Sequence, residues 1–235
     1  KKYKNLHKGK TCFIFGNGAS LKYYDFSKIP IDYSIATTFG LLDIRMKKLK
    51  PKYYIIPDQY NFYSVVRNKR RKGISINIIG RIFKEIIKAN PQTTFFISLT
   101  NAYSYFATPK NVNYFYTRYR SDIKNNEFIF SNDLCKNFNC TEGSLDVMIG
   151  VAKYLGFSKA VLLGCDYLGS PKLEGHFYSD EEPWFGDPVY DDYLKRIKKV
   201  SEDIDILAIF PKGIKSTIFN SNSFDEYFDA NEKKF

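Results

Sequence analysis

Short apolar runs of strand length alternate along this chain with segments whose apolar residues recur at helical spacing. The runs are Thr11–Phe15, Tyr33–Thr38, Lys52–Pro57, Thr93–Ser98, Lys159–Gly164 and Asp205–Phe210, and the helical patterns are Leu41–Lys50, Gly80–Ala89, Gly143–Leu155 and Val189–Glu202. That alternation predicts an α/β fold, a single Rossmann-like domain with a mostly parallel sheet and helices on both faces. The segment from about Tyr103 to Phe138 is rich in Tyr, Phe and Asn and reads as strands and loops covering one sheet edge. At 235 residues the chain is long enough for one well-packed domain, residues 1–235, with a lid at about 168–187.

The first run breaks into Gly16-Asn-Gly-Ala-Ser20. Gly16 and Gly18 let the backbone turn tightly, and Ser20 can cap a helix whose free N–H groups then face an anion. The pattern predicts a phosphorylated, nucleotide-type ligand; an ordinary strand-to-helix turn uses the same residues. A dinucleotide fingerprint would need a third glycine where Leu21 stands and an acidic residue at the end of the second strand, which instead closes on Ala36-Thr37-Thr38.

Three other places fall at carboxyl ends of strands, where a parallel sheet presents its ligand crevice. Asp58 follows the third strand, and its carboxylate can accept from a base or a ribose hydroxyl, or lead a plain turn. The run Thr141-Glu-Gly-Ser144 opens a helix, and Thr141, Gly143 and Ser144 with its free N–H groups form a second anion seat; simple capping by Ser144 is the alternative. Asp166 and Tyr167 end a buried run and lead into the loop holding Gly175-His176-Phe-Tyr178. A lone histidine in a long Gly-, Pro- and aromatic-rich loop reads as an acid/base group on a lid, against the alternative of a packing residue.

Charge narrows the partners. Lys+Arg of 36 against Asp+Glu of 25 gives a net +11, which favours anionic partners such as nucleotide sugars or an anionic lipid surface. Much of the excess sits in Lys1–Lys10, Arg45–Lys52 and Arg67–Lys72, and solvated faces account for such runs equally well. No recognised nucleic-acid module is present, so nucleic acid is not an expected partner. The four cysteines Cys12, Cys135, Cys140 and Cys165 contain no C-x-x-C pair, and with two histidines they make no zinc set. Free structural thiols, no secretory signal and no apolar run of membrane-spanning length predict a cytoplasmic protein, with its basic face able to rest on the inner membrane face.

Taken in order, Gly16-Asn-Gly-Ala-Ser-Leu21, Lys50-Pro-Lys-Tyr-Tyr-Ile-Ile-Pro-Asp58, Glu142-Gly-Ser-Leu145, Leu155-Gly-Phe-Ser-Lys-Ala-Val-Leu-Leu-Gly-Cys-Asp166 and His176-Phe-Tyr178 resemble the bacterial sialyltransferase-like proteins that include the Campylobacter-type sialyltransferases. They are also similar to the 6-hydroxymethylpterin diphosphokinase-like group, with its motility accessory factors. The resemblance runs from about Lys8 to Phe228. It implies one nucleotide-binding α/β domain with a lid, a CMP-activated sugar donor and no metal or other cofactor. It implies donor contacts at Asn17, Gly18 and Ser20, a seat for nucleotide or donor carboxylate at Thr141, Gly143 and Ser144, and His176 as the base. The family's proline is Ala19 here, its second-strand asparagine Thr38 and its third-strand asparagine Pro57 or Asp58. Its leaving-group tyrosine has Tyr167 or Tyr178 as candidates.

The expected function is therefore an inverting glycosyltransferase moving a sialic-type acid onto a glycan or lipid-linked glycan hydroxyl in cell-surface polysaccharide synthesis. His176 is its catalytic residue, and Gly16, Asn17, Gly18, Ser20, Thr38, Asp58, Thr141, Gly143, Ser144, Asp166, Tyr167 and Tyr178 bind its donor. Two alternatives stand beside it. One is a diphosphokinase in which Asp58 and Asp166 hold Mg²⁺ for ATP; the other is a non-catalytic nucleotide-binding module.

Overall fold

A computed structural model describes residues 2–58, 61–63, 65–68, 73–76, 78–118, 138–139, 143–187 and 191–231. Eight strands form the central sheet: β1 (Thr11–Phe15), β2 (Ser34–Thr37), β3 (Tyr53–Ile56), β4 (Thr94–Ser98), β5 (Val112–Phe115), β6 (Lys159–Leu163), β7 (Asp205–Phe210) and β8 (Asn220–Ser223). They lie in the order β8-β7-β6-β1-β2-β3-β4-β5, and every neighbouring pair is parallel. The chain thus fills one half of the sheet outward from β1 to β5, then returns to the other side of β1 for β6. The expected α/β Rossmann-like fold is what forms, and its strand order reverses between β1 and β6.

The apolar runs explain themselves through this arrangement. Successive side chains point to opposite faces of a strand, and both faces here are covered. Cys12, Ile14, Ile35, Tyr53, Ile55, Ala160 and Leu162 pack with helices α3 (Ser144–Leu155) and α4 (Asp191–Val200). Their neighbours Phe13, Phe15, Ala36, Tyr54, Ile56, Val161 and Leu163 pack with α1 (Ile44–Leu49), α2 (Ile78–Ala89) and α5 (Phe224–Asn231). A strand between two helical layers has no polar face to show. The N-terminal segment is also packed down: His7 stacks on Phe157 with ring centroids 4.8 Å apart and shares a 2.5 Å hydrogen bond with the Tyr53 hydroxyl.

Several local expectations change. No α-helix follows β1; the chain makes two 3-10 turns before β2, Ala19–Tyr23, with no side-chain cap, and Phe26–Lys28, capped by the Asp25 carboxylate. The helix expected over Leu41–Lys50 divides into a 3-10 turn, Gly40–Leu42, and α1, because the Asp43 carboxylate accepts from the Arg45 N–H at 2.8 Å and starts a new helix there. The polar strand β8 was absent from the expected set. The lid carries a short hairpin, Lys172–Glu174 against Trp184–Gly186. Of the segment Tyr103–Phe138, β5 does line the sheet edge, while residues 119–137 lie outside the described part. Among the described residues no helix is long and apolar enough to cross a membrane.

Candidate functional site

In open parallel sheets ligands sit beyond the carboxyl ends of the strands where the strand order reverses. Here that point is the gap between the ends of β1 and β6, and a cleft of about 350 Å³ opens there. Its floor is Gly16, Asn17 and Gly18 after β1 and Gly164, Cys165 and Asp166 after β6. The two loops are laced by backbone, since the Gly16 N–H donates to Leu163 O and the Gly18 N–H to Gly164 O, both at 2.8 Å. A Cβ on Gly16 would fall 2.2 Å from Gly164 O, and one on Gly18 would fall 2.4 Å from the Asp166 carboxylate. Both glycines are there for close approach; neither has a positive φ, so the tight turn expected of them is not what requires glycine here.

Ser20 takes a different part from the one expected. Its N–H and hydroxyl both donate to the Asp166 carboxylate, at 2.7 and 2.5 Å, and the residue is fully buried. Its hydroxyl is thereby committed to locking the β1 loop to the β6 loop, and neither caps a helix nor faces the cleft lining. Burial pushes Asp166 up to about 6, with the Ser20 hydrogen bonds pulling the other way. The folded value lies above that of an ordinary aspartate, so between about pH 4 and pH 6 the folded chain keeps a proton that the unfolded chain has released. Stability is fully present below that window and lost as pH rises through it. We expect urea denaturation to show the native protein losing roughly 2 to 3 kcal/mol relative to Asp166→Asn between pH 4 and pH 7. A constant difference across that range contradicts the assignment.

On the β2 side, the Asn17 amide donates to the Thr38 hydroxyl at 2.5 Å. Thr38 lies just past β2 with φ at +47°, a left-handed conformation that a β-branched residue rarely adopts. The buried Tyr54 hydroxyl holds this corner, accepting from the Leu41 N–H at 3.0 Å and facing the Thr38 carbonyl at 2.7 Å. The Asn17 Oδ1 is buried with no hydrogen-bond partner among the described residues. It is an acceptor left over in the wall of the site. Thr37, rather than Thr38, reaches the cleft lining.

The opposite wall is the N-terminus of α3. Gly143 is the N-cap and has no side chain to cap with; Gly143, Ser144 and Leu145 line the cleft. Ser144 is the first helical residue, not the cap. A Cβ at Gly143 would meet the Tyr193 hydroxyl at 2.3 Å, so the glycine lets α4 close against this end. The Tyr193 hydroxyl in turn lies 3.3 Å from that of Tyr167, and loss of water around both groups keeps them protonated well above the usual tyrosine range. Thr141 lies outside the described residues, as do Glu142, Cys135 and Cys140.

The lid supplies the last wall. Gly18 and His176 form an antiparallel bridge, the Phe177 N–H donates to Asn17 O at 3.1 Å, and His176 Nδ1 lies 3.3 Å from the same oxygen. The imidazole is exposed and stacks on Tyr178 with ring centroids 5.1 Å apart. Arg45 fastens the segment from behind: its guanidinium donates to Leu21 O at 3.1 Å and faces the Phe177 ring at 5.6 Å. The histidine and the Gly-Asn-Gly loop, 159 residues apart in sequence, are thus brought together.

Asp58 is not brought in. It is half-buried after β3, its carbonyl accepts from Asn101 at 2.9 Å, and burial raises its carboxyl; it does not line the cleft. Among the described residues no cluster of three or more His, Cys, Asp or Glu side chains is arranged to hold a metal ion. Residues not singled out from the sequence complete the wall, notably Glu174, Glu181, Trp184 and Tyr193. No lysine or arginine is among the lining residues described.

Fold and site together define a doubly wound Rossmann-like α/β protein with a glycine-floored cleft at its switch point. No protein-family model, curated protein or solved structure matches the chain.

Proposed function

We propose that this protein is an inverting glycosyltransferase that uses a donor activated by a nucleoside monophosphate, with a CMP-linked sialic-type acid as the donor and a glycan hydroxyl as the acceptor. The observation that carries the reading is the pairing of His176 with Asn17, which holds an exposed imidazole against the Gly-Asn-Gly loop of a switch-point cleft. His176 removes the proton from the acceptor hydroxyl. The acceptor oxygen bonds to the anomeric carbon as that carbon's bond to the phosphate oxygen breaks, and the electron pair leaves with CMP. The phosphate rests on the α3 N–H groups, and the lid excludes the water that would hydrolyse the donor.

Electrostatics favour a monophosphate. One helix N-terminus offers roughly half a unit of positive charge, and the described lining adds the carboxylate of Glu174, which is paired with Lys172, and that of Glu181. The phosphodiester and carboxylate of such a donor, two charges in all, ask less of that seat than a triphosphate does. The ATP reading also needs Asp58 and Asp166 together, and Asp58 stands outside the lining. We place the enzyme in the cytoplasm, with its net charge of +11 drawing it to an anionic membrane face that carries lipid-linked glycans.

Incubation with CMP-activated nonulosonic acids and a panel of glycans tests the reading. The expected result is acceptor-dependent CMP release with inversion at the anomeric carbon, followed by NMR. Consumption of ATP with AMP release, or nucleotide binding with no turnover of any donor, overturns it.

A further inference from the structure

Trp184 is the only tryptophan of the chain, and it stands half out of the protein at the edge of the cleft, 52% exposed. Its position is built rather than incidental. In the lid hairpin Glu174 is paired directly with Trp184, so the two side chains share one face and lie side by side. A Cβ on Gly186 would meet Glu174 Cγ at 2.5 Å, so the glycine lets the Glu174 side chain fold across the ribbon, where Lys172 grips its carboxylate at 2.6 Å. Glu181, whose carbonyl accepts from Lys22 at 2.7 Å, lines the same cleft, as does His176.

We propose that Trp184, with Glu174 and Glu181, forms a subsite for a neutral saccharide ring, adjoining His176. A half-exposed indole at a cleft mouth can offer its face to a ligand, and that face matches the flat C–H face of a sugar. Carboxylates around that ring accept from the sugar hydroxyls, which is how a few polar groups orient a ligand in a largely apolar pocket. Charge selects among ligands. Over residues 168–187 the lid carries five carboxylates, Glu174, Asp180, Glu181, Glu182 and Asp187, against one lysine, Lys172, within a chain of net +11. An anionic lipid or an acidic glycan meets repulsion there, whereas an uncharged sugar does not. That this saccharide is the acceptor rests on the proposed transferase reading; that the subsite binds a saccharide does not.

The lone tryptophan makes the test direct. Emission of the native protein is titrated with lactose, N-acetyllactosamine and chitobiose, with a glucuronate-containing disaccharide, with choline chloride and with phosphatidylglycerol vesicles. The expected result is a saturable change with a neutral saccharide, weaker with the acidic one, and calorimetry with Trp184→Ala showing affinity for the same saccharide reduced about tenfold. Glu174→Gln, which keeps the indole, should weaken binding with the fluorescence signal intact. No response to any saccharide, a response confined to choline or to vesicles, or unaltered affinity in Trp184→Ala overturns the subsite. A parallel CMP titration of the native protein separates the two ideas: CMP binding without saccharide binding removes the subsite and leaves the donor reading, and saccharide binding without CMP binding does the reverse.

Discussion

Replacing His176 by alanine is expected to lower kcat for sugar transfer by about 10² to 10⁴-fold, the usual contribution of a positioned general base, while nucleotide affinity stays close to native. The geometry says why the two effects separate. Asn17 O is a peptide acceptor, so the 3.3 Å approach of His176 Nδ1 is satisfied when that nitrogen carries the proton. Nε2 then keeps its lone pair and is the nitrogen that can take a proton from an acceptor hydroxyl. The floor and the α3 seat owe nothing to the imidazole, because Gly16 and Gly18 are held by Leu163 O and Gly164 O and the lid keeps its Phe177 N–H bond to Asn17. His176→Gln serves as the second variant, retaining a polar side chain without a basic nitrogen, and should be as slow. Transfer rates within about tenfold of native in both variants would remove His176 from the chemistry.

Gly16→Ala should be the most damaging single substitution in the cleft floor. The new methyl would stand 2.2 Å from Gly164 O, 2.9 Å from its carbonyl carbon and 3.1 Å from Cys165 Sγ. Two of these are backbone atoms at the end of a central strand, immediately beyond the pairing of Phe15 with Leu163. Relief requires the carboxyl ends of β1 and β6 to part, breaking the hydrogen bonds that make the floor. We expect a loss of about 2 to 4 kcal/mol in denaturant titrations. That corresponds to a fall in Tm of roughly 5 to 15 °C for a chain of this size, with nucleotide binding lost at temperatures where the variant is still folded. Gly213→Ala is the comparison: φ is +92° there but nothing lies within 4 Å of the added methyl, so about 1 kcal/mol of backbone strain is the whole effect. Equal losses in the two variants would mean that close packing of the floor is not what Gly16 provides.

The sheet was legible because its physics is one-dimensional. A strand between two helical layers must be apolar throughout, and Thr11–Phe15 or Lys159–Leu163 can be read as nothing else that short. The strand Asn220–Ser223 gave no such signal, since it is an edge strand that joins β7 through its backbone while its side chains stay polar and partly exposed. The turn after β1 departs from the expected helix for a tertiary reason. Gly-Ala-Ser before an apolar residue is a sound helix start, but the Asp166 carboxylate, 146 residues away, captures both Ser20 donors, and Ala19–Tyr23 forms a 3-10 turn instead.

Much the same divides the site. The glycine floor and His176 carry local signatures, and they do meet. The clamp between Asn17 and Thr38, the exclusion of Asp58 and the Tyr167 and Tyr193 pair follow from packing that no local spacing encodes. The acidic character of residues 168–187 is a local signal. Net charge averaged it away, although five carboxylates around the only tryptophan stand out once residues 168–187 are counted alone.

The measurement that bears most directly on the central claim is a calorimetric titration of the protein with CMP, CDP, UDP, GDP, ADP and ATP, each with and without Mg²⁺. The account predicts micromolar binding of CMP that is indifferent to the metal, with di- and triphosphates weaker because one helix N-terminus and a carboxylate-rimmed cleft offer little to neutralise them. Mg²⁺-dependent binding of ATP, or no binding of any nucleotide, would contradict it.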